Sequence, residues 1–201
     1  MKEEARERAA EVETERSRAL LYGLLSRLLA APPDAQLLRQ LSRLEGDETA
    51  IGTALAGLAA AAQRLSAAAV REEYEALFVG LGRGELLPYA SWYLTGFLYE
   101  RPLAELRAEL GRLGIVRREG NPEPEDHIAS VLEVMAGLAD GRFGRVDLTL
   151  QKRFFERHLD SWGVRFFADL AQARAADFYR EVAKLGRVLL EIERVAFAMV
   201  D

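Results

Sequence analysis

Asn121-Pro-Glu-Pro-Glu-Asp-His-Ile-Ala-Ser-Val-Leu-Glu-Val-Met-Ala-Gly-Leu-Ala139 sets two prolines, three acids and one of the chain's two histidines directly against an apolar run. Proline cannot sit inside a helix but suits its entrance, where the missing N–H has no partner in any case. The stretch therefore predicts a helix start. From Ile128 onward the apolar positions Val131, Leu132, Met135 and Leu138 recur at steps of three and four, which makes one face a core face. Glu123, Glu125 and Asp126 then fall at or near the first turn, where unpaired N–H groups and the helix dipole favour negative charge. His127 follows Glu123 by four residues, a spacing that puts the two on one helix edge within hydrogen-bonding reach. Two readings stay open: a well-made helix start with a core histidine, or a charged, proline-stiffened rim facing a ligand.

The rest of the chain agrees with helix. Half of the 201 residues are hydrophobic, with alanine, leucine, glutamate and arginine prominent and β-branched residues sparse. The expectation is an all-α, single-domain multi-helix bundle, since this length supports one sizeable core and not two. The formal charge is −5 and the basic residues alternate with acids instead of forming a stripe, which argues against nucleic acid as a partner. Without cysteine there is no disulfide, thiolate metal site or thiol chemistry. The charged opening Met1-Lys-Glu-Glu-Ala-Arg-Glu-Arg is followed by no export signal, and Ala54–Ala62 is too short for a membrane span, so a cytoplasmic protein is expected.

In chain order, the leucine rows from Leu20 to Leu29 predict a long first helix that Pro32-Pro33 stops. Asp34 caps a second helix carrying Leu37, Leu38, Leu41 and Leu44, and Asp47 to about Ala69 reads as an alanine-rich third. The segment Arg71–Val79 is a short helix entering a loop punctuated by Gly80, Gly82 and Gly84. Tyr89, Trp92, Tyr93, Phe97 and Tyr99 crowd into eleven residues, and most are expected in the core with polar tips near a groove. Pro102 opens a helix that Gly114 stops, and Asp147 caps the next, with a break expected at Gly163. A last helix from about Ala175 carries the heptad-like seam Phe178, Val182, Leu185, Leu189, Ile192, Ala196 and Met199. The proline-acid loop at 119–124 is a candidate hinge between lobes of roughly 1–118 and 125–201.

No enzyme class emerges from these residues. His127 and His158 lie on different predicted helices with no ligand spacing, so no metal is expected. Ser91 lacks a glycine elbow, and Asp126 is badly placed to orient the adjacent His127. The Gly80–Gly84 loop lacks the lysine and hydroxyl residue of a phosphate loop. A small nucleotide-binding switch or enzyme built on that loop and His127 stays open as the alternative.

Taken together, Tyr74-Glu-Ala-Leu-Phe-Val-Gly80, Pro88-Tyr-Ala-Ser-Trp-Tyr93, Leu103 to Gly114 and Glu123-Pro-Glu-Asp-His-Ile128 resemble the TorD/DmsD family, and Phe154-Phe-Glu-Arg-His-Leu159 continues the likeness. These are cytoplasmic chaperones for the maturation of molybdenum-containing oxidoreductases. The resemblance implies an all-helical protein without catalytic activity. It implies two partners: the twin-arginine signal peptide and the apo form of a molybdopterin-containing reductase or dehydrogenase subunit. It assigns peptide and client binding to Glu123, Pro124, Asp126 and His127, and to Tyr89, Ser91 and Tyr93 with Trp92 between them; the charge of Glu125, beside these acids, adds it as a further partner for the peptide's arginines. It further implies a monomer or a domain-swapped homodimer, no resident cofactor, and weak guanine-nucleotide binding attributed to some members. On this reading acids pair with the two arginines, and reversing the charge of Asp126 weakens binding while leaving the fold intact.

Overall fold

The residues that favour helix do form helix along most of the chain, and short polar side chains set where each helix begins. A computed structural model describes residues 1–116 and 123–200, and of residues 2, 3, 5 and 7 the backbone alone. The expected hinge at 119–124 falls largely outside the described residues. Pro32-Pro33 follows α1 (Lys2–Ala30), and the Asp34 carboxylate caps α2 (Ala35–Leu41) by accepting from Leu37 N. The alanine-rich third segment is two helices. Thr49 caps α3 (Ala50–Arg64), extended backbone at Leu65 breaks it, and Ser66 caps α4 (Ala67–Tyr74). A π-helical turn (Glu75–Val79) carries α4 into the glycine loop. Then come α5 (Ala90–Thr95), α6 (Arg101–Arg112), α7 (Ile128–Ala139) and α8 (Leu148–Phe155), capped by Asp147. A second π-helical turn (Glu156–Asp160) leads into α9 (Ser161–Gln172), and α10 (Phe178–Ala198) ends the fold. Among the described residues there is no strand, only an isolated antiparallel bridge between Tyr89 and His127.

At the centre lies α7. Every described face of it but those of Ser130 and Glu133 is buried, so its apolar stripe is nearly a full cylinder and not the single face its spacing predicts. It packs on α1, whose buried side is Tyr22, Leu25, Ser26, Leu28 and Leu29, while Leu20 is left exposed. Against the other side of the core, α10 packs on α3 and α9. The helix runs through Gly163 without a break; the irregularity sits one turn earlier, in the π-helical turn. Gly163 and Gly186 serve close packing instead, since a Cβ at Gly186 would strike the Phe167 ring.

Buried polar groups tie these helices together. Glu73 on α4 is 9 % exposed, and its carboxylate accepts from Asp177 N, Phe178 N and Tyr179 N at 2.7–3.0 Å. A side chain distant in sequence thus satisfies the amides at the start of α10, where Asp177 makes no side-chain cap. At the other end, Arg18 makes a bidentate pair with Glu193, which also accepts from Tyr22 Oη at 2.8 Å. The buried Glu193 turns the heptad-like seam: Phe178 to Leu189 are in the core, whereas Ile192 and Met199 face outward and Phe197 is buried in their place.

Candidate functional site

The proline-acid segment comes before its helix, not within it. Ala90 N donates to Asp126 O at 3.0 Å and Ile128 N to Pro88 O at 2.8 Å, so after a turn at 125–126 an antiparallel bridge between Tyr89 and His127 fixes the chain against the 88–90 segment. His127 is the N-cap: its Nδ1 accepts from Ala129 N at 3.2 Å, and α7 has no acid in its first turn. Glu123 and His127 therefore do not share a helix edge. The three acids are drawn to three different partners, and that is why the helix begins late.

Asp126 is 1 % exposed, and its Oδ2 accepts from both Ser91 N (2.9 Å) and Ser91 Oγ (2.5 Å). It latches the segment onto the start of α5 and shows no carboxylate to solvent. The expectation that its charge can be reversed with the fold intact fails for this reason, because a buried charge without its acceptors is costly. Glu125 accepts from Arg107 of α6 at 2.9 Å. Glu123 accepts from Tyr89 Oη at 2.7 Å, and the Tyr89 ring stands edge-on to His127 with centroids 5.2 Å apart. Pro124 contributes its carbonyl to His127 N at 3.2 Å. Burial pushes His127 down to about 4, against the pull of Glu123 and Asp126, so the ring is neutral at pH 7 and Nδ1 is free to accept.

The residues expected to form one groove line two recesses. Tyr89, Glu123 and His127 lie in a cleft of about 190 Å³ between α1, the first π-helical turn and α7. Tyr74, Phe78, Val79 and Pro88 supply its apolar wall, and Ser26, Ser130 and Glu133 add polar groups. Among the described lining residues two are carboxylates, Glu123 and Glu133, and none is lysine or arginine. Trp92 and Tyr93 belong to a second recess, of about 350 Å³, that carries its own cations. There Arg83 stacks 4.8 Å from the Trp92 ring, Arg165 lies 5.8 Å from that of Tyr93, and Tyr93 Oη donates to Asp169 at 3.0 Å. Ser91, fully buried, sits between them as the partner of Asp126. Phe97 and Tyr99 are exposed, outside the core expected for them, and Tyr99 has a left-handed backbone (φ 63°).

In the glycine loop, Gly80 N, Glu85 N and Leu86 N already donate to carbonyls of the preceding π-helical turn. These amides close the turn and are not presented to a phosphate. Among the described residues no cluster of acids and histidines is placed to hold a metal ion. No single helix there is long and apolar enough to cross a membrane.

A model of the family described as nitrate reductase delta subunit matches residues 44–168, more than half the chain and all of both recesses' loops. The chain belongs to that family. Relatives within reach of this delta-subunit assignment carry the names that the motifs resemble. A Tat proofreading chaperone, DmsD, of Haemophilus influenzae is 30% identical over 58% of this chain and 56% of its own length. Chaperone protein TorD of Vibrio cholerae is 30% identical over 59% of this chain and 57% of its own. The chain thus spans little more than half the length of these two. TorD of Aliivibrio fischeri is 28% identical over 88% and 92%. Among solved structures, a redox enzyme maturation protein from Archaeoglobus fulgidus superposes with a TM-score of 0.56 at 21% identity, covering 87% of this chain and 93% of that one. At that identity the likeness is one of fold, and it is the all-α fold that the composition predicts.

Glu133, Ser26, Tyr74 and Phe78 were not singled out for the site by sequence. Tyr74 and Phe78 stand in the Tyr74–Gly80 motif, and that is the one signal for them. Ser26 and Glu133 join the cleft only because α1 lies along α7, and no spacing within either segment reveals that contact.

Proposed function

We propose that this protein is a maturation chaperone, not an enzyme, and that its acidic cleft receives the arginine pair of a client's twin-arginine signal peptide. The observation that carries the reading is the cleft's composition: two carboxylates and a neutral imidazole beside an apolar wall. Guanidinium groups pair strongly with carboxylates in such partly shielded settings and stack on aromatic rings. Tyr74, Phe78 and Val79 suit the apolar residues that follow the arginines. The second recess holds Arg83 and Arg165 beside Glu85 and Asp169, so its charges balance and it offers the pair no net negative charge. Glu123 and Glu133 are therefore the contact residues, Tyr89 orients Glu123, and Asp126, Ser91 and Pro124 hold the segment in place. The names of the relatives, chaperones that include a Tat proofreading one, support the chaperone role; the resemblance of the motifs adds the client, a molybdenum-containing oxidoreductase held in the cytoplasm until its cofactor is inserted and export is due.

Ordering a flexible peptide costs about 2–5 kcal/mol, so micromolar affinity is expected rather than nanomolar. Calorimetric titration of the protein with twin-arginine signal peptides tests the reading. Saturable binding that vanishes when both arginines become alanine supports it. Equal binding of the two peptides, or none to any molybdoenzyme signal peptide, refutes it.

A further inference from the structure

Beyond Leu189 the apolar pattern of α10 continues on the outside of the molecule, as Val188, Ile192, Val195 and Met199, spaced four, three and four residues apart. That spacing puts them on one face of the helix. Val188 is half-buried, while Ile192, Val195 and Met199 are 45 %, 63 % and 75 % exposed. Exposed apolar residues scattered singly are ordinary, but a file of them along one helix marks an interaction surface.

The file borders a shallow groove between α3 and α10. Two contiguous recesses, of about 440 and 420 Å³, share Ala50, Val188 and Glu191. On the α3 side the lining is small, with Ala50, Ala54 and Gly57, so a further helix can lie close. The charged lining residues are two acids and two bases, and they pair along α10: Lys184 with Glu181 at 2.7 Å and Arg187 with Glu191 at 3.4 Å. The groove is thus neutral on a chain of formal charge −5, so it does not repel a copy of the chain.

The spacing decides the occupant. Four-three-four reads the same in both directions, so a second α10 turned end for end meets this file with the same file: Val188 faces Met199 and Ile192 faces Val195, twice over, about a two-fold axis. In that register Glu191 is level with Ala196 and Ala198 of the copy, not with another acid. Lys184, one turn before Val188, lies beside the carbonyl end of the copy's helix, where positive charge is favoured.

We propose that the exposed face of α10 and the groove beside it form a two-fold interface with a second copy of this chain, the two α10 helices packing antiparallel without exchange of segments. The contact does not depend on the peptide reading, and it differs from the domain-swapped dimer that the family resemblance implies. The packed stretch, Val188 to Met199, is about 18 Å long. That is short of what a permanent dimer buries, so the dimer dissociates on dilution.

Sedimentation equilibrium of the full-length protein, from low micromolar to near-millimolar concentration, tests the interface, with the helical content of each variant checked by circular dichroism. The parent is expected to pass from monomer to dimer across that range. Val195→Glu and Ile192→Lys, both at exposed positions, are each expected to weaken the dimer about tenfold or more, the scale of one apolar side chain kept from burial. Mixed in equal amounts, the two variants are expected to recover association, because the register sets each introduced charge against the other. The proposal is overturned by a parent that stays monomeric throughout, which leaves the groove to a helix of another protein. It is overturned equally by a dimer that Val195→Glu does not weaken, as an exchange of lobes would give, or by variants that do not recover on mixing.

Discussion

At the residue scale the candidate site depends on Asp126 and His127, and each makes a distinct prediction. Asp126→Ala removes the acceptor of Ser91 N and Oγ in a buried setting, which should cost about 1–3 kcal/mol for the groups left unmet. Urea unfolding would show it as a lowered midpoint, and peptide binding should fall as the segment loosens. His127 is held at about 4 in the fold against an ordinary value near 6.5 in the unfolded chain. Its neutral form is favoured by folding, so its contribution is complete above pH 6.5 and is lost as pH falls toward 4. Between pH 7 and pH 5 this amounts to roughly 2 kcal/mol. His127→Asn keeps a capping acceptor and cannot titrate, so its stability should fall less than the parent's over that range; identical pH profiles would show that His127 is not held neutral.

At the element scale the start of α10 depends on a side chain 104 residues away in sequence, Glu73. Glu73→Ala should destabilise the protein by about 1–3 kcal/mol or more, because three amides lose one acceptor, while Asp177→Ala should have a small effect. Thermal unfolding of the two variants separates them. Gly186→Ala sets a methyl group against the Phe167 ring and is expected to cost about 1–3 kcal/mol despite alanine's better helix propensity. The helices themselves were legible from the chain. Asp34 and Asp147 cap where expected, and Pro102 and Gly114 bound α6. The first acids of the proline-acid segment misled, because their charge reads as a helix terminus when their actual partners are Tyr89, Arg107 and Ser91, residues that only the folded chain brings near. The end of the α10 seam misled likewise: period alone could not show that Arg18 draws Glu193 inward and turns Ile192 out.

At the scale of the whole molecule, one core joins helices from both sides of the proline-acid segment, with α1 on α7 and α3 on α10. The candidate cleft is a product of that arrangement. Its motif residues, Tyr89, Glu123 and His127, were legible from the sequence; its second carboxylate, Glu133, was not, since it reads as an ordinary solvent-facing helix position. The most direct test of the account is therefore a double-mutant cycle measured by calorimetry, pairing Glu133→Gln in the protein with replacement of each signal-peptide arginine by alanine. The account predicts a coupling of about 1 kcal/mol or more between Glu133 and one of the arginines. Strictly additive losses for both arginines would contradict it and would place the pair elsewhere on the protein.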